Sequence, residues 1–245
     1  RVWSRAEALE WMLGEAGRPT LIGLDLSPAL PFDQTDGYFP AWSASPSDAP
    51  ALWRLVDELS AADPHHAAAG FLAHEDARRH FFITKPAGDR FLGGRGRLRE
   101  CETRQGAMKL TPSSCFKLIG PSQVGKSSLT GMRVLHQLGR RIPVWPFDRA
   151  PDSGPLIVEI YTSLAARAAG VPPGRSKMRS AATLNDALGG LGVEERVKLH
   201  SYDDHATDAI VTAAWMRAAA PRPELWNPEG LAAVAQTEGW TFGVV

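Results

Sequence analysis

Cysteine is scarce in this chain: Cys101 and Cys115 are the two in 245 residues. One pairing is the most they allow, which excludes a disulfide-stapled scaffold and fits a reducing compartment. Net charge is lacking as well, with 27 Lys plus Arg against 27 Asp plus Glu. No overall field therefore draws the protein to nucleic acid or to an anionic membrane, and any such partner must be held by a local patch. Long apolar runs are missing: none reaches the length of a membrane span, and no charged-then-apolar leader opens the chain. These absences point to the cytoplasm and to no membrane partner. There is no internal repeat and no low-complexity tract.

What remains is an ordinary globular composition, 44% hydrophobic and 22% charged, at a length that buries a sizeable core. Residues 1–3 read as the tail of a strand, and Ser4-Arg5-Ala6-Glu7 is a capping-box sequence. A helix over 4–16 follows, with Ala6, Leu9, Met12 and Leu13 on one stripe, then an apolar strand over 20–24 closed by Asp25. Residues 27–50 (SPALPFDQTDGYFPAWSASPSDAP) carry no sustained period and form a long loop of the kind that is often functional. Helical patterns resume at 51–62 and 70–82. Residues 89–104 are Gly- and Arg-rich and read as a basic flexible loop or hairpin. Strands are expected at 115–119, 142–147, 155–161 and 240–245, and helices from about 125 to 138 and over 203–219. The class is α/β with one mixed sheet, in a single domain over 1–245 with a helical and loop insertion at about 27–113.

Gly120-Pro121-Ser122-Gln123-Val124-Gly125-Lys126-Ser127 satisfies the phosphate-loop pattern G-x-x-x-x-G-K-[ST]. In such a loop Gly120 and Gly125 let backbone amides close around phosphate, Lys126 neutralises it, and Ser127 reaches a magnesium ion. The companions are weak. The pattern falls after nearly half the chain, Glu159 lies inside its strand rather than at its end, and Pro121 removes an amide donor. The plain alternative is a helix entered by a tight glycine turn.

A second constellation is acidic. Asp25 ends an apolar strand, at the carboxyl edge where sites gather in open α/β sheets. Glu159 interrupts the otherwise apolar PLIVEIY, and a buried carboxylate there needs a cation, a hydrogen-bond partner or a metal. On the helix DDHATDAIVTAAW, at about 100° per residue, Asp204 and Asp208 share a direction with Val211 and Trp215, toward the sheet. Like charges four residues apart repel, and a divalent cation removes that cost. Asp203 reads as the helix N-cap. The ordinary alternatives are an arginine partner for Asp208, a turn cap for Asp25 and an exposed first-turn role for His205. Hard carboxylates of this kind suit Mg²⁺ or Mn²⁺.

In LIGLDLSPALPF, IVEIYTSLAARAAG and DDHATDAIVTAAW, together with the terminal GWTFGV, the chain resembles an uncharacterised family of predicted nucleases with a ribonuclease-H-like fold. The resemblance implies a mixed five-stranded sheet flanked by helices, and a metal-dependent carboxylate cluster in which Asp25, Glu159, Asp204 and Asp208 hold Mg²⁺ or Mn²⁺. It also makes the GPSQVGKS helix scaffold. Such folds open with a hairpin carrying a further Asp, whereas this chain starts at what reads as the third strand. Either that hairpin is absent here, leaving a gap beside a central strand, or Asp25 takes the first carboxylate's place.

Arg95, Arg97, Arg99, Arg175 and Lys177 are candidates for holding nucleic-acid phosphates, with loop solvation and pairing to acids as the alternative. Tyr38, Trp42 and Trp53 offer stacking surfaces or plain core. Three functions are thereby open: a metal-dependent nuclease, a phosphate-loop nucleotide binder, and a non-catalytic scaffold that engages a partner through residues 27–50.

Overall fold

Ser4 starts the first helix as its sequence requires. Its hydroxyl accepts from the Glu7 amide and the Glu7 carboxylate accepts from the Ser4 amide, at 3.2 and 2.7 Å. The computed structural model describes residues 2–94, 96–120, 123–172 and 177–245. In chain order the elements are α1 (Arg5–Gly14), β1 (Leu21–Leu24), α2 (Ala49–Leu59), α3 (Ala69–Ala73), α4 (Glu75–Arg78), α5 (Glu100–Ala107), α6 (Gly125–Leu138), β2 (Leu156–Glu159), α7 (Thr162–Ala168), α8 (Ala181–Gly190), α9 (Asp204–Ala219) and α10 (Leu231–Val234). The protein is α/β and mostly helical. No helix among the described residues is long and apolar enough to cross a membrane.

β1 and β2 pair in parallel, Leu21 opposite Leu156 through Leu24 opposite Glu159. β2 is the central strand. Toward β1, the Leu156 and Ile160 amides donate to the Thr20 and Leu24 carbonyls. On its other side Ile157 exchanges bonds with Pro143 and Trp145, and the Phe242 amide donates to the Glu159 carbonyl. Because strand side chains alternate, the sheet separates two cores. Ile157 and Ile22 face one built from α1, α2, α6 and the aromatics of residues 27–116, while Leu156, Val158 and Ile160 face another built from α7, α9, Trp145, Trp240 and Phe242.

A broad mixed sheet does not form among the described residues. The segments expected as strands at 115–119, 142–147 and 240–245 each contribute a single bridge, at Lys117, Val144 and Thr241, and residues 2–3 contribute none. Pro143 and Pro146 lack the amides a longer ladder needs, and Gly243 turns the last segment away at φ 91°. The helix expected over 70–82 is two short ones, broken where His74 is extended at ψ 133°. The basic stretch over 89–104 is no hairpin, since its end becomes the start of α5.

The loop over 27–50 carries part of the core on its aromatics, while residues 33–36, 43 and 44 are exposed. Tyr38 and Phe39 are fully buried and Trp42 nearly so, and the Trp53 indole donates to the Pro28 carbonyl at 2.6 Å, so none of these rings is free to stack on a base. Phe39 sits in ring contact with Trp42, Phe71, His80, Phe81 and Phe116. Phe39→Ala is expected to cost about 3–5 kcal/mol, read as a lower urea midpoint. A loss under about 1 kcal/mol would show that the loop is not part of the core.

Candidate acidic cleft

Arg99 precedes α5 and is 1% exposed. Its guanidinium forms a two-pronged bond to Glu159, with Nη1 to Oε2 at 2.7 Å and Nη2 to Oε1 at 2.5 Å. Nε donates to Glu102 Oε1 at 3.0 Å, Nη2 to Ser27 Oγ at 3.0 Å and Nη1 to the Glu238 carbonyl at 3.1 Å. All five guanidinium donors are thereby used. The Thr241 hydroxyl adds a bond to Glu159 Oε1 at 2.8 Å. Burial pushes the Glu159 carboxyl above its ordinary range, against the pull of Arg99. An arginine in a two-pronged bond keeps its partner ionised, and the pair is a charged one. The cation that Glu159 requires is thus Arg99. This corrects the reading of Arg99 as a phosphate contact, and it occupies both oxygens of the Glu159 carboxylate that was expected to hold a metal.

Asp25 follows β1 and stands where two hollows meet. One is a cleft of about 580 Å³ between β1 and α9, whose wall includes Asp208, His205 and Arg217. The other, about 260 Å³, reaches inward to Arg99, Glu102 and Glu159. Asp25 is open to water through the cleft mouth yet recessed among protein atoms. Burial, then the charges of Asp208 and Glu159, push its carboxyl up to about 6, with His205 opposing. Asp208 is half-buried and raised too, by burial and then by Asp204. Two carboxyls that hold their protons too tightly, in one cleft at the carboxyl ends of parallel strands, mark a candidate site on physical grounds.

The other expected ligand separates from them. Asp204 bonds Lys177 Nζ at 2.6 Å and Arg179 Nη2 at 3.4 Å, and the Lys177 ammonium, aided by Arg179, holds it below the usual carboxylate range. Lys177 therefore serves an acid as well as being exposed. Arg97 lies over the Phe116 ring at 4.8 Å and donates to the Tyr38 carbonyl, which turns it inward. Arg95 and Arg175 lie outside the described residues. Asp203 caps α9 as expected, accepting from the Ala206 amide at 2.9 Å, and His205 is exposed at the cleft rim.

The phosphate-loop pattern folds as a helix start. A Cβ on Gly125 would lie 2.2 Å from the Cys115 carbonyl oxygen and 3.1 Å from that of Lys117, so the close approach of the preceding segment already requires glycine at this position. Ser127 turns its hydroxyl back to the Val124 carbonyl at 2.8 Å, and Lys126 is exposed. Gly120 has φ 89°, the turn residue of the plain alternative; Pro121 and Ser122 lie outside the described residues.

Among the described residues no three His, Cys, Asp or Glu side chains stand close enough to enclose a metal ion. A magnesium ion that keeps most of its waters needs only one or two carboxylates. Asp25 and Asp208 fit that smaller demand, and a cation would relieve the repulsion that raises Asp25. Arg217, at the far end of the cleft, is absent from the candidates drawn from sequence, because a lone arginine on an Ala-rich helix carries no motif. Compared with protein-family models, curated proteins and solved structures, the chain matches none.

Replacing Arg99 by Met leaves two buried carboxylates unpaired, and a loss of about 3–5 kcal/mol is expected on denaturant unfolding; Arg99→Lys, with three donors in place of five, is expected to recover only part of it. For Asp25 the folded value of about 6 lies above the unfolded 3.8, so its contribution to stability is complete below 3.8 and is lost as pH rises through 6. Asp25→Asn is expected to gain thermal stability relative to the parent between pH 4 and pH 7. A gap independent of pH would refute the raised carboxyl.

Proposed function

We propose that the protein is a divalent-metal-dependent hydrolase of phosphodiesters, a nuclease of the ribonuclease-H-like kind, acting at Asp25 and Asp208 with Mg²⁺ or Mn²⁺. The observation that carries the proposal is the pair of raised carboxyls sharing one open cleft at the carboxyl ends of two parallel strands. The three sequence blocks that resemble the predicted nuclease family converge on the same place, since they supply Asp25, Glu159 and Asp208 respectively. A bound divalent ion would supply an activated water and neutralise charge on a phosphoryl oxygen.

The chain's own groups then divide the work. Asp25 and Asp208 provide the negative pair across the cleft. Glu159, locked by Arg99, is a positioning residue whose charge raises Asp25 from behind. Lys177 and Arg179, paired with Asp204 one helical turn before Asp208, and Arg217 in the cleft wall offer positive charge for a phosphodiester backbone, in a protein with no net charge to do so. The metal ligands of this reading are Asp25 and Asp208 alone.

Calorimetric titration of Mn²⁺ into the protein and its Asp25→Asn and Asp208→Asn variants tests the proposal, with cleavage of labelled single- and double-stranded DNA and RNA followed in parallel. Each substitution is expected to weaken Mn²⁺ binding at least about tenfold, the equivalent of about 1.4 kcal/mol, and to abolish cleavage. Equal Mn²⁺ binding by all three proteins, or ATP binding that Lys126→Ala removes, would sink it.

A further inference from the structure

β2 is hydrogen-bonded along both sides, whereas β1 is paired along one. The Thr20 and Leu24 carbonyls accept from β2. Since a parallel ladder uses alternate residues of each strand, Ile22 also faces β2, while Leu21 and Gly23 turn their amides and carbonyls outward. No bridge among the described residues reaches that side. An unpaired edge of this kind is a template for another strand. Here it opens into the 580 Å³ cleft, so incoming chain has room to lie along it.

The cleft's charge pattern says what that chain is. α9 runs antiparallel to β1. Asp208 lies by Asp25, whose carboxyl it raises; Met216 stands against Gly23, its sulfur 2.6 Å from where a Cβ would sit; and Arg217 lines the same cleft as Pro19, Thr20 and Leu21. The nine helical steps from Asp208 to Arg217 rise about 14 Å, which matches the span of about 13 Å for the four steps from Asp25 back to Leu21. One edge therefore carries acid at one end and a cation at the other. A second copy turned antiparallel presents the opposite order and meets it charge to charge.

We propose that two copies of this chain associate through β1, joining their sheets about a two-fold axis. The register that uses every outward group sets Leu21 of each copy opposite Gly23 of the other, with Pro19 opposite Asp25, and brings the partner subunit's Arg217 to Asp25 and Asp208. The contact is isologous and closes on itself, the ordinary form of a homodimer. Two features of α9 suit it. Ala209 and Ala213 are exposed in line with Arg217, which lets the two helices approach closely. Thr212, 2% exposed and lining the cleft, holds a buried hydroxyl with no hydrogen-bond partner; such a group calls for one.

The test is sedimentation equilibrium of the full chain in EDTA, so that the result does not depend on the cation reading, with circular dichroism to verify folding. The parent is expected to dimerise with concentration. Arg217→Glu and Asp208→Lys are each expected to weaken self-association at least about tenfold. An equimolar mixture of the two variants is expected to restore it, because both ion pairs re-form across the heterodimer. Leu21→Pro removes an outward amide without touching the ladder to β2, and should also yield monomer. A parent that stays monomeric, dimers indifferent to these substitutions, or variants that do not complement one another would overturn the proposal.

Discussion

The ion pair between Arg99 and Glu159 is the constraint on which the rest of the structure depends. Through one guanidinium it ties the segment after β1 at Ser27, the end of β2 at Glu159, the first turn of α5 at Glu102 and the last segment at the Glu238 carbonyl. Among the described residues the sheet is two strands wide, with single bridges beyond, too little ladder to hold these segments by backbone bonds alone. A fully satisfied polar network in a low-dielectric interior gives directional restraint where apolar packing gives little. Its net contribution to stability is a separate matter, since desolvating three charges offsets much of the attraction. Its effect is to fix which segments meet.

That network also explains the character of the cleft. Arg99 carries one positive charge and faces two carboxylates, Glu159 and Glu102, so the buried group keeps an excess of one negative charge. Asp25 sits at the junction with that group and feels Glu159 behind and Asp208 in front. The raised Asp25 carboxyl is thus a consequence of how the core is held together as well as of its own burial. A site can take its electrostatics from residues that never touch the ligand.

Much of the scaffold was legible in the sequence because its signals are local. Ser4 with Glu7, Asp203 as a cap, the helix that became α6 and the apolar runs of β1 and β2 are each decided within a few residues, and the structure has them. What escaped was non-local or aperiodic. Arg99 lies in GGRGRLR, which reads as a solvated loop, and its partner Glu159 is 60 residues away. One signal was present: an acid inside PLIVEIY demands a cation, and Glu102, three residues after Arg99, marks a helix start that puts Arg99 at its boundary. Residues 27–50 show no period, yet Tyr38 and Phe39 anchor a core, because irregular chain can bury aromatics without the alternation that announces a strand or helix.

The fate of GPSQVGKS shows why a motif needs its surroundings. The pattern prescribes glycines so that backbone amides can converge on an anion. In this chain Gly125 has a packing reason of its own: the carbonyl oxygens of Cys115 and Lys117 come close to it and leave no room for a side chain. The same letter satisfies a donor cradle and an acceptor contact, because glycine answers to close approach as such. The acids escape that ambiguity. Carboxylates brought together from β1 and α9 raise one another's proton affinity wherever they meet, and the only general remedies are a proton, a cationic side chain or a metal ion. Asp204 found Lys177 and Arg179, and Glu159 found Arg99. Among the described residues Asp25 and Asp208 have no salt bridge of their own, and the charge left uncompensated there is what directs both a cation and the oppositely ordered edge of a second copy to the same cleft.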